Sequence, residues 1–375
     1  MIQEIRIKNY LSFRDEVVLS FEATKDTTFE ECQVANVTPK VRLLRFALIY
    51  GANASGKSNL LKAMDFLRDF WFDKKSDIDE DTGVVPFLLD TETPNEPSEF
   101  NIKFFVGDKR YWYVLVLDDK QVIKEDLYVY NSVQPSLVFS RELDGTASLI
   151  KLNASLVKAN ATIVEQLNVK CLSNMSFFAA RNQVNCSLAY IDEVRDWMKN
   201  NMMPIIEPGT RMFEYAGKQM EKNAELKAYI LDFVHKADYN ITDVYTEREK
   251  VPIPDFVKTS IMEDKDIPEK TKEKMLADNA LERLRTDFQH TVKNKRGEEN
   301  YRLPNSLQSE GTKRTFGIEA AIYEAIKTNG ILPIDEIESS LHPELVEFII
   351  EKFLKEKSKW LLTFQRELKI LVPAL

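Results

Sequence analysis

An eight-residue motif near the N-terminus constrains this chain more than any other feature of its sequence. The motif is Gly51-Ala-Asn-Ala-Ser-Gly56-Lys57-Ser58, and it directly follows a nearly continuous apolar run at residues 43–50. Such a run is typical of a strand that is buried on both faces. Residues 58–71 then place apolar side chains at helical spacing. A loop of the form G-x-x-x-x-G-K-S between a buried strand and a helix indicates a phosphate-binding loop.

Each residue type in this loop suits an anionic ligand. Gly51 and Gly56 permit backbone angles that turn N–H groups inward. Lys57 is long enough to reach the β- and γ-phosphates of a nucleotide, and Ser58 offers a hydroxyl to Mg²⁺. The helix that follows points its positive N-terminal end at the phosphates. The nucleotide-binding residues predicted in this segment are Gly51, Asn53, Ser55, Gly56, Lys57, Ser58 and Asn59.

A short apolar run at residues 331–334 ends in two carboxylates, Asp335 and Glu336. We predict that this run is a strand, that Asp335 holds Mg²⁺ directly or through water, and that Glu336 polarises an attacking water. The alternative is a strand that merely ends in solvated acids. Pro333 lies inside the run, and proline is unusual in a central strand because it removes a hydrogen-bond donor.

Two polar loops flank this strand in the sequence. Ser309-Glu-Gly311-Thr-Lys-Arg314 leads into a predicted helix at residues 312–327, and Ser339-Ser-Leu-His342-Pro343 leads into another at residues 344–356. A serine hydroxyl, glycine N–H groups and a helix N-terminus together make a further anion site. For Ser309 and Ser339 the alternative is a simple N-cap, which is compatible with phosphate contact. For His342 the alternative is a structural role in the turn.

Together these motifs resemble the ABC-type ATPase heads of the SMC and RecF group. More closely, the chain resembles bacterial AAA-family ATP-binding proteins that share this head, among them overcoming-lysogenization-defect-like and abortive-infection ATPases. The opening Ile5-Arg-Ile-Lys-Asn-Tyr-Leu-Ser-Phe13 and residues 86–90 and 97–104 carry the same resemblance. The implied fold is α/β, a P-loop NTPase head of the ABC type with an antiparallel β-lobe and an inserted helical subdomain. The implied divisions are an N-terminal ATPase lobe at 1–154, a helical insert or arm at 155–303 and a C-terminal ATPase lobe at 304–375.

The resemblance also implies a homodimer that holds ATP and Mg²⁺ between its two copies. Ser309 and Gly311 occupy the signature loop, which in this family contacts the γ-phosphate bound to a second protomer. Arg314 lies beside them and is expected to meet the same phosphate. Residues 339–342 occupy the loop that packs across the dimer. The expected catalytic residues are Glu336 and Lys57, and the expected Mg²⁺ ligands are Ser58 and Asp335.

The middle of the chain is predicted to fold outward as separate lobes. Turn signals separate β-prone runs, which predicts an antiparallel sheet from strands at residues 100–106, 111–117, 122–130, 137–141 and 148–152. A sheet core is favoured over a base-stacking platform for the aromatic residues Tyr111, Trp112, Tyr113, Tyr128 and Tyr130. Residues 155–235 are predicted to be mainly helical, with residues 177–183 as a loop. Within that loop, polar filler is favoured for Gln183 over nucleotide sensing.

Charge and composition argue against several classes of function. Residues 236–303 carry alternating charges, such as Glu263-Asp-Lys-Asp266, and are predicted to form a solvated helix face, with or without a protein or DNA partner. A net charge of −9 argues against a protein that coats nucleic acid by bulk charge, although a local basic patch is compatible with it. The sequence has no apolar run long enough to span a bilayer, and Cys32, Cys171 and Cys186 form no pairing or metal pattern. These features favour a cytoplasmic chain.

The chain departs from the family pattern after the catalytic acid. Relatives carry a histidine that senses the γ-phosphate at the end of the next strand, whereas the matching residues 360–368 contain Gln365, which cannot become cationic. This departure and Pro333 predict slow or partner-dependent hydrolysis. The main hypothesis is an ATP-dependent switch for a partner effector, in phage defence or DNA maintenance. The alternatives are a RecF-like DNA-repair ATPase that binds DNA directly and a non-hydrolysing ATP-dependent scaffold.

Overall fold

The computed structural model describes residues 1–145, 147–237, 240–264, 268–277, 280–355 and 361–365. The chain folds as two compact units. Unit 1 contains Met1–Pro208, Glu324–Ser339 and the described residues from Ile350 onward, and unit 2 contains Gly209–Tyr323 and Ser340–Ile349. The division into segments 1–154, 155–303 and 304–375 stays a prediction.

The strands and helices follow one another along both units. The strands are β1 Ile2–Lys8, β2 Val17–Ser20, β3 Val34–Thr38, β4 Val41–Leu44, β5 Phe46–Tyr50, β6 Ser98–Val106, β7 Lys109–Leu117, β8 Val122–Tyr130, β9 Ser136–Asp144, β10 Ala147–Leu152, β11 Asp243–Pro252, β12 Ala280–Asn294, β13 Gly297–Pro304, β14 Leu332–Ile334 and β15 Leu361–Gln365. The helices are α1 Glu30–Gln33, α2 Lys57–Phe70, α3 Ala161–Lys170, α4 Phe177–Arg181, α5 Ile191–Asn201, α6 Met212–Lys222, α7 Ala224–Lys236, α8 Asp255–Glu263, α9 Glu269–Ala277, α10 Glu310–Thr328 and α11 Pro343–Lys355.

A seven-stranded antiparallel sheet dominates unit 1, with the order β10-β9-β8-β7-β6-β1-β2. It contains all five strands predicted between residues 100 and 152, so the predicted β-lobe is confirmed. Alternate residues of β7 point into the core, and Tyr111 and Tyr113 are fully buried there. Trp112 and Tyr128 stack on the opposite face with ring centroids 4.9 Å apart. The predicted core role is therefore right for the two tyrosines of β7, while Trp112, Tyr128 and Tyr130 are only half-buried.

A buried ion pair fixes the inner face of this sheet. Arg141 on β9 and Glu125 on β8 are both fully buried, and Arg141 Nη1 donates to Glu125 Oε2 at 3.3 Å. Glu125 also accepts from the hydroxyl of Tyr113 at 2.9 Å and from the backbone N–H of Phe177 at 2.7 Å. Burial raises the pKa of the Glu125 carboxyl, and the Arg141 guanidinium opposes that shift. The pair thereby ties the sheet to the N-terminus of α4.

The predicted loop at residues 177–183 is wrong, because Phe177–Arg181 forms the short helix α4. Ser176 caps this helix by accepting from the N–H of Ala179 at 3.0 Å. Phe178 is fully buried and stacks on Trp71 with a centroid distance of 3.9 Å. A helix of one turn shows no periodicity in the sequence, so tertiary packing rather than a local pattern produces it. The wider prediction of helices over residues 155–235 is confirmed by α3 to α7.

A small parallel sheet of order β14-β15-β5 also belongs to unit 1. The predicted single strand at residues 43–50 is wrong in extent. Its first part is β4, which pairs antiparallel with β3, and its second part is β5, which pairs parallel with β15. The backbone N–H of Arg45 donates to the carbonyl of Gln33 at the break between them. An apolar run alone does not reveal that the strand changes partners.

Pro333 fits in β14 because it faces an irregular neighbour. The side of β14 away from β15 lies beside residues 201–206, which make only isolated bridges to it. The Pro333 carbonyl accepts from the N–H of Ile206 at 2.9 Å, and the N–H of Asp335 donates to the Ile206 carbonyl at 2.8 Å. The donor that proline lacks therefore belongs to the side of the strand without a regular ladder.

Unit 2 combines helices with a second antiparallel sheet of order β11-β12-β13. Its core includes Phe213, Phe288 and Phe316, with the rings of Phe288 and Phe316 4.9 Å apart in an edge-on contact. The predicted helix face over residues 236–303 is wrong for most of its described length, since β11, β12 and β13 occupy it, while α8 and α9 are helical. Lys265 and Asp266 of that charge run lie outside the described residues.

In the described ranges, every helix is too short or too polar to cross a bilayer.

We predict that Arg141→Met lowers the free energy of unfolding of unit 1 by about 3–5 kcal/mol, because it leaves the Glu125 carboxyl buried without its partner. Lys120→Met is the matched control, since Lys120 pairs with Asp81 at the exposed surface. That change should cost less than about 1 kcal/mol. Urea unfolding followed by tryptophan fluorescence measures both, and equal losses would contradict a structural role for the buried pair.

Candidate nucleotide site

The predicted phosphate loop lies between β5 and α2. The strand ends at Tyr50, the loop follows, and α2 begins at Lys57, one residue before the predicted start. Two loop residues adopt left-handed backbone angles: Gly56 with φ of 88° and Ala54 with φ of 61°. The apolar face of α2 is buried through Leu60, Leu61, Ala63, Met64, Leu67 and Phe70. The strand, loop and helix therefore form as the motif indicates.

Gly56 lies against the turn at residues 9–13. A Cβ atom at Gly56 would stand 2.8 Å from Ser12 Oγ and 2.9 Å from Phe13 Cε1. Ser12 Oγ also accepts a hydrogen bond from Asn59 Nδ2 at 2.8 Å. Glycine is needed at position 56 for two reasons: the backbone is left-handed, and the turn at residues 9–13 approaches too closely for a side chain.

Lys57 holds its ammonium group at the mouth of the loop. Its Nζ donates to the carbonyl of Gly51 at 2.6 Å and to the carbonyl of Ala52 at 2.8 Å. The N–H of Ser55 donates to the same Ala52 carbonyl at 3.3 Å. The cation therefore sits beside the first turn of α2, where N–H groups and the helix dipole also favour an anion.

The two carboxylates follow β14 directly. Asp335 is 7% exposed, and its backbone is fixed by the bond to Ile206. Glu336 has a left-handed backbone with φ of 45°, and its carbonyl accepts from the N–H of Ser339 at 2.8 Å. This tight turn places consecutive carboxylates at the end of a buried strand. Left-handed angles are costly for a residue with a side chain and often occur at functional sites.

One open cleft of about 350 Å³ brings these residues together. It is lined by Ser12, Asn53, Ala54, Ser55, Gly56, Lys57, Ser58, Asn59, Asp335 and Glu336. The volume is in the range of small-molecule sites. The donors suit a magnesium nucleotide: Lys57 and the helix N-terminus supply positive charge, and Ser58 and Asp335 supply the oxygen ligands that Mg²⁺ prefers.

Comparison with known proteins adds the family. Residues 46–151 and 215–372 match the family model described as "AAA domain, putative AbiEii toxin, Type IV TA system". The chain belongs to this AAA family. The match covers both the phosphate loop and the Asp335–Glu336 pair, and it confirms the resemblance to an ABC-type AAA ATPase. The predicted α/β fold with an antiparallel β-lobe is likewise confirmed.

Comparison with solved structures returns matches to SMC and RecF proteins. The SMC head domain from Thermotoga maritima is 14% identical with a TM-score of 0.42, covering 98% of this chain and 89% of that one. An SMC head bound to the C-terminal winged-helix domain of ScpA is 12% identical with a TM-score of 0.43, covering 98% and 89%. The recombination mediator RecF with ATP is 15% identical with a TM-score of 0.32, covering 99% and 93%. Among curated proteins, none matches the chain.

The loop predicted to be the signature loop lies in unit 2, at the start of α10. Ser309 caps the helix by accepting from the N–H of Thr312 at 3.1 Å. Gly311 lies against the next loop, since a Cβ on it would stand 2.7 Å from the carbonyl oxygen of Ser340. Arg314 is half-buried on the second turn. The N-cap role of Ser309 is therefore present, and the phosphate contacts of all three residues stay predictions.

The structure also gives the positions of the four remaining candidates. His342 supports the start of α11, because its carbonyl accepts from the N–H of Leu345 at 2.9 Å while its side chain is largely exposed. Ser339 is not an N-cap, since α11 begins only at Pro343. Gln183 is not among the residues that line the described cleft. Gln365 ends β15 opposite Tyr50 in the parallel register.

Ser12 is a site residue outside the phosphate loop that sequence reasoning missed. It lines the cleft and bonds to Asn59. The opening segment was singled out for its family resemblance, but nothing in its composition shows that its turn meets the phosphate loop. The available signal is the strand-breaking sequence Asn9-Tyr-Leu-Ser12, which marks a turn without showing its partner.

We predict that Gly56→Ala weakens the affinity for magnesium ATP at least about tenfold, because the new methyl group must push away Ser12 and Phe13. Gly83→Ala is the matched control. Gly83 also has a left-handed φ of 83°, but a Cβ there would meet nothing within 4 Å. Both variants carry a backbone penalty of about 1–2 kcal/mol. Calorimetric titration with a non-hydrolysable ATP analogue separates them, and wild-type affinity in Gly56→Ala would contradict the assignment.

Proposed function

We propose that this chain is an ABC-type ATPase that binds and hydrolyses magnesium ATP, dimerises around it and acts as a switch for a partner effector. One observation carries the proposal: a single cleft contains both the phosphate loop at Lys57 and the carboxylates Asp335 and Glu336, although these are distant in the sequence. Membership in the AAA family supports it.

The residues of the cleft divide the chemistry among them. Lys57 and the N–H groups at the start of α2 would bind the phosphates and offset their charge. Ser58 and Asp335 would hold Mg²⁺, which when bound withdraws charge from the phosphate oxygens. Glu336 would orient the attacking water and accept its proton. The turn closed by Ser339 fixes the backbone of Glu336 for this task.

Turnover is proposed to be slow in the isolated protein. Gln365 stands where relatives carry a histidine, and an amide cannot gain the positive charge that would stabilise the departing phosphate. A partner that completes the site would then raise the rate. Pro333 gives no reason for slow turnover, because it lies on the irregular side of β14.

Dimerisation is proposed from the chemistry of the signature loop. The N-terminus of α10 presents Ser309 and Gly311, and a helix N-terminus is a favourable place for an anion. In the proposed dimer this end meets the γ-phosphate held by Lys57 of the second copy. ATP then joins the copies, and hydrolysis removes the link.

The biological setting is proposed to be phage defence. The family description refers to a putative AbiEii toxin and a type IV toxin–antitoxin system, which agrees with the abortive-infection resemblance. Direct DNA binding of the RecF kind and a non-hydrolysing scaffold remain the alternative predictions.

We predict that Glu336→Gln lowers ATP hydrolysis by about 10²- to 10⁴-fold, since glutamine cannot accept the proton, while ATP binding is kept. Light scattering should then show a dimer that forms with ATP and Mg²⁺ and persists. Lys57→Ala is the control that should lose both binding and dimerisation. Phosphate release that is unchanged by Glu336→Gln would contradict the assigned role, and absence of hydrolysis in the unaltered chain with any nucleotide concentration would favour the scaffold.

We predict that Ser309→Asp abolishes ATP-dependent dimerisation whereas Ser309→Asn largely preserves it. Both residues cap a helix well, so α10 should remain intact, but the aspartate charge repels a phosphate. Mixing the Ser309→Asp variant with the Lys57→Ala variant should restore hydrolysis. In the mixed dimer, Lys57 of the first variant and Ser309 of the second variant together form one complete site. Equal dimerisation by the two Ser309 variants would show that Ser309 is only a cap.

A further inference from the structure

We propose that Asn9 is a positioning residue for the phosphate loop. It holds the loop in place indirectly and does not line the cleft. The inference rests on the proposed function, and it concerns how the site is held in shape. Asn9 anchors the turn at residues 9–13, and that turn supports the loop at Gly56. Its effect on nucleotide binding passes through Ser12 and Phe13.

Asn9 is fully buried, and its side chain uses both its donor and its acceptor groups. Its Nδ2 donates to the carbonyls of Thr93 at 2.7 Å and Glu96 at 2.8 Å. Its Oδ1 accepts from the N–H of Phe87 at 3.0 Å. These three partners all lie in residues 85–97, the last part of the segment between α2 and β6. An amide is suited to this place because it offers donors and an acceptor at once.

The backbone of the turn needs such an anchor. Asn9 and Leu11 both have left-handed angles, with φ of 51° and 49°. Asparagine tolerates this region, whereas leucine adopts it only when the surroundings hold it there. Reciprocal backbone bonds between Tyr10 and Phe13 close the turn at 2.9 and 2.8 Å, and the N–H of Leu11 donates to the Val85 carbonyl at 2.9 Å. Residues 85–97 thus hold the turn through Asn9 and Leu11 together.

The turn at residues 9–13 contacts the phosphate loop and the start of α2 at two points. Ser12 Oγ accepts from Asn59 on the first turn of α2, and Ser12 and Phe13 border the place where a side chain at Gly56 would lie. Ser12 also lines the cleft, while Asn9 is not among the lining residues. Release of the turn therefore changes the support of Gly56 and the setting of Ser12, leaving every charged group of the site unchanged.

Asn174 offers a matched control in the same unit. It is also fully buried, and its Nδ2 donates to the carbonyls of Asp77 at 2.7 Å and Glu80 at 2.8 Å. It anchors a loop whose residues do not line the nucleotide cleft. Loss of its side chain removes the same kind of bonds, so a general loss of stability should be similar in the two variants.

The experiment compares Asn9→Gly with Asn174→Ala in the full chain. Glycine keeps the left-handed backbone of Asn9, so the change removes side-chain bonds without adding strain. Affinity for adenylyl-imidodiphosphate with Mg²⁺ is measured by calorimetry, and the unfolding midpoint is measured alongside. We expect Asn9→Gly to bind the nucleotide analogue about tenfold more weakly, because two or three hydrogen bonds that hold the turn are removed. We expect Asn174→Ala to change this affinity by less than about twofold, although the two variants have similar unfolding midpoints.

Ser98→Ala is a milder second variant, since it removes only the bond from the Ser98 hydroxyl to the Asn9 carbonyl. It should weaken affinity by about threefold, as expected for one lost bond. Wild-type affinity in Asn9→Gly and Ser98→Ala, together with loss of binding in Lys57→Ala, overturns this inference alone. Wild-type affinity in Lys57→Ala overturns the proposed function, and this inference with it.

Discussion

The close contact between Gly56 and the turn at Ser12 and Phe13 is the constraint on which the site depends. It joins the N-terminal strand β1 to the loop that follows β5, two segments that belong to different sheets of unit 1. Only a residue without a side chain combines the left-handed angle with this approach. The glycine of the motif therefore has a tertiary role in addition to its part in the loop backbone.

The features that the sequence predicted correctly have local causes. The strand–loop–helix order around Lys57, the five strands of the β-lobe and the strand before Asp335 each depend on neighbouring residues. The spacing of apolar residues and the positions of turn residues and glycines indicate this succession of strands, loops and helices directly. The cleft that unites Lys57 with Asp335 was expected from the chemistry of the two motifs and from the family resemblance, although nothing local specifies that β5 and β14 belong to one sheet.

The features that were missed depend on partners far away in the chain. Residues 43–50 read as one apolar strand, yet Arg45 separates two strands that pair in different sheets. Strand β13 has no buried residue and β11 has only one, Val244, so neither shows the alternation that marks a half-buried strand. Helix α4 exists because Phe177 and Phe178 fill the space beside Glu125 and Trp71. Ser12 and Asn9 are missed for the same reason, since their hydrogen-bond partners, Asn59 for Ser12 and Thr93 and Glu96 for Asn9, lie far away in the sequence.

The aromatic stack at the far end of α2 has a mechanical consequence. Trp71 directly follows the helix and is pressed flat on Phe178 and edge-on to Tyr113 of the large sheet. A helix of 14 residues is about 21 Å long, so this anchor lies roughly that distance from the start of α2 at Lys57. Closely packed rings resist gradual sliding. A force on Lys57 is therefore transmitted along α2 to the large sheet. The fluorescence of Trp71, at the end of the helix, reports that strain.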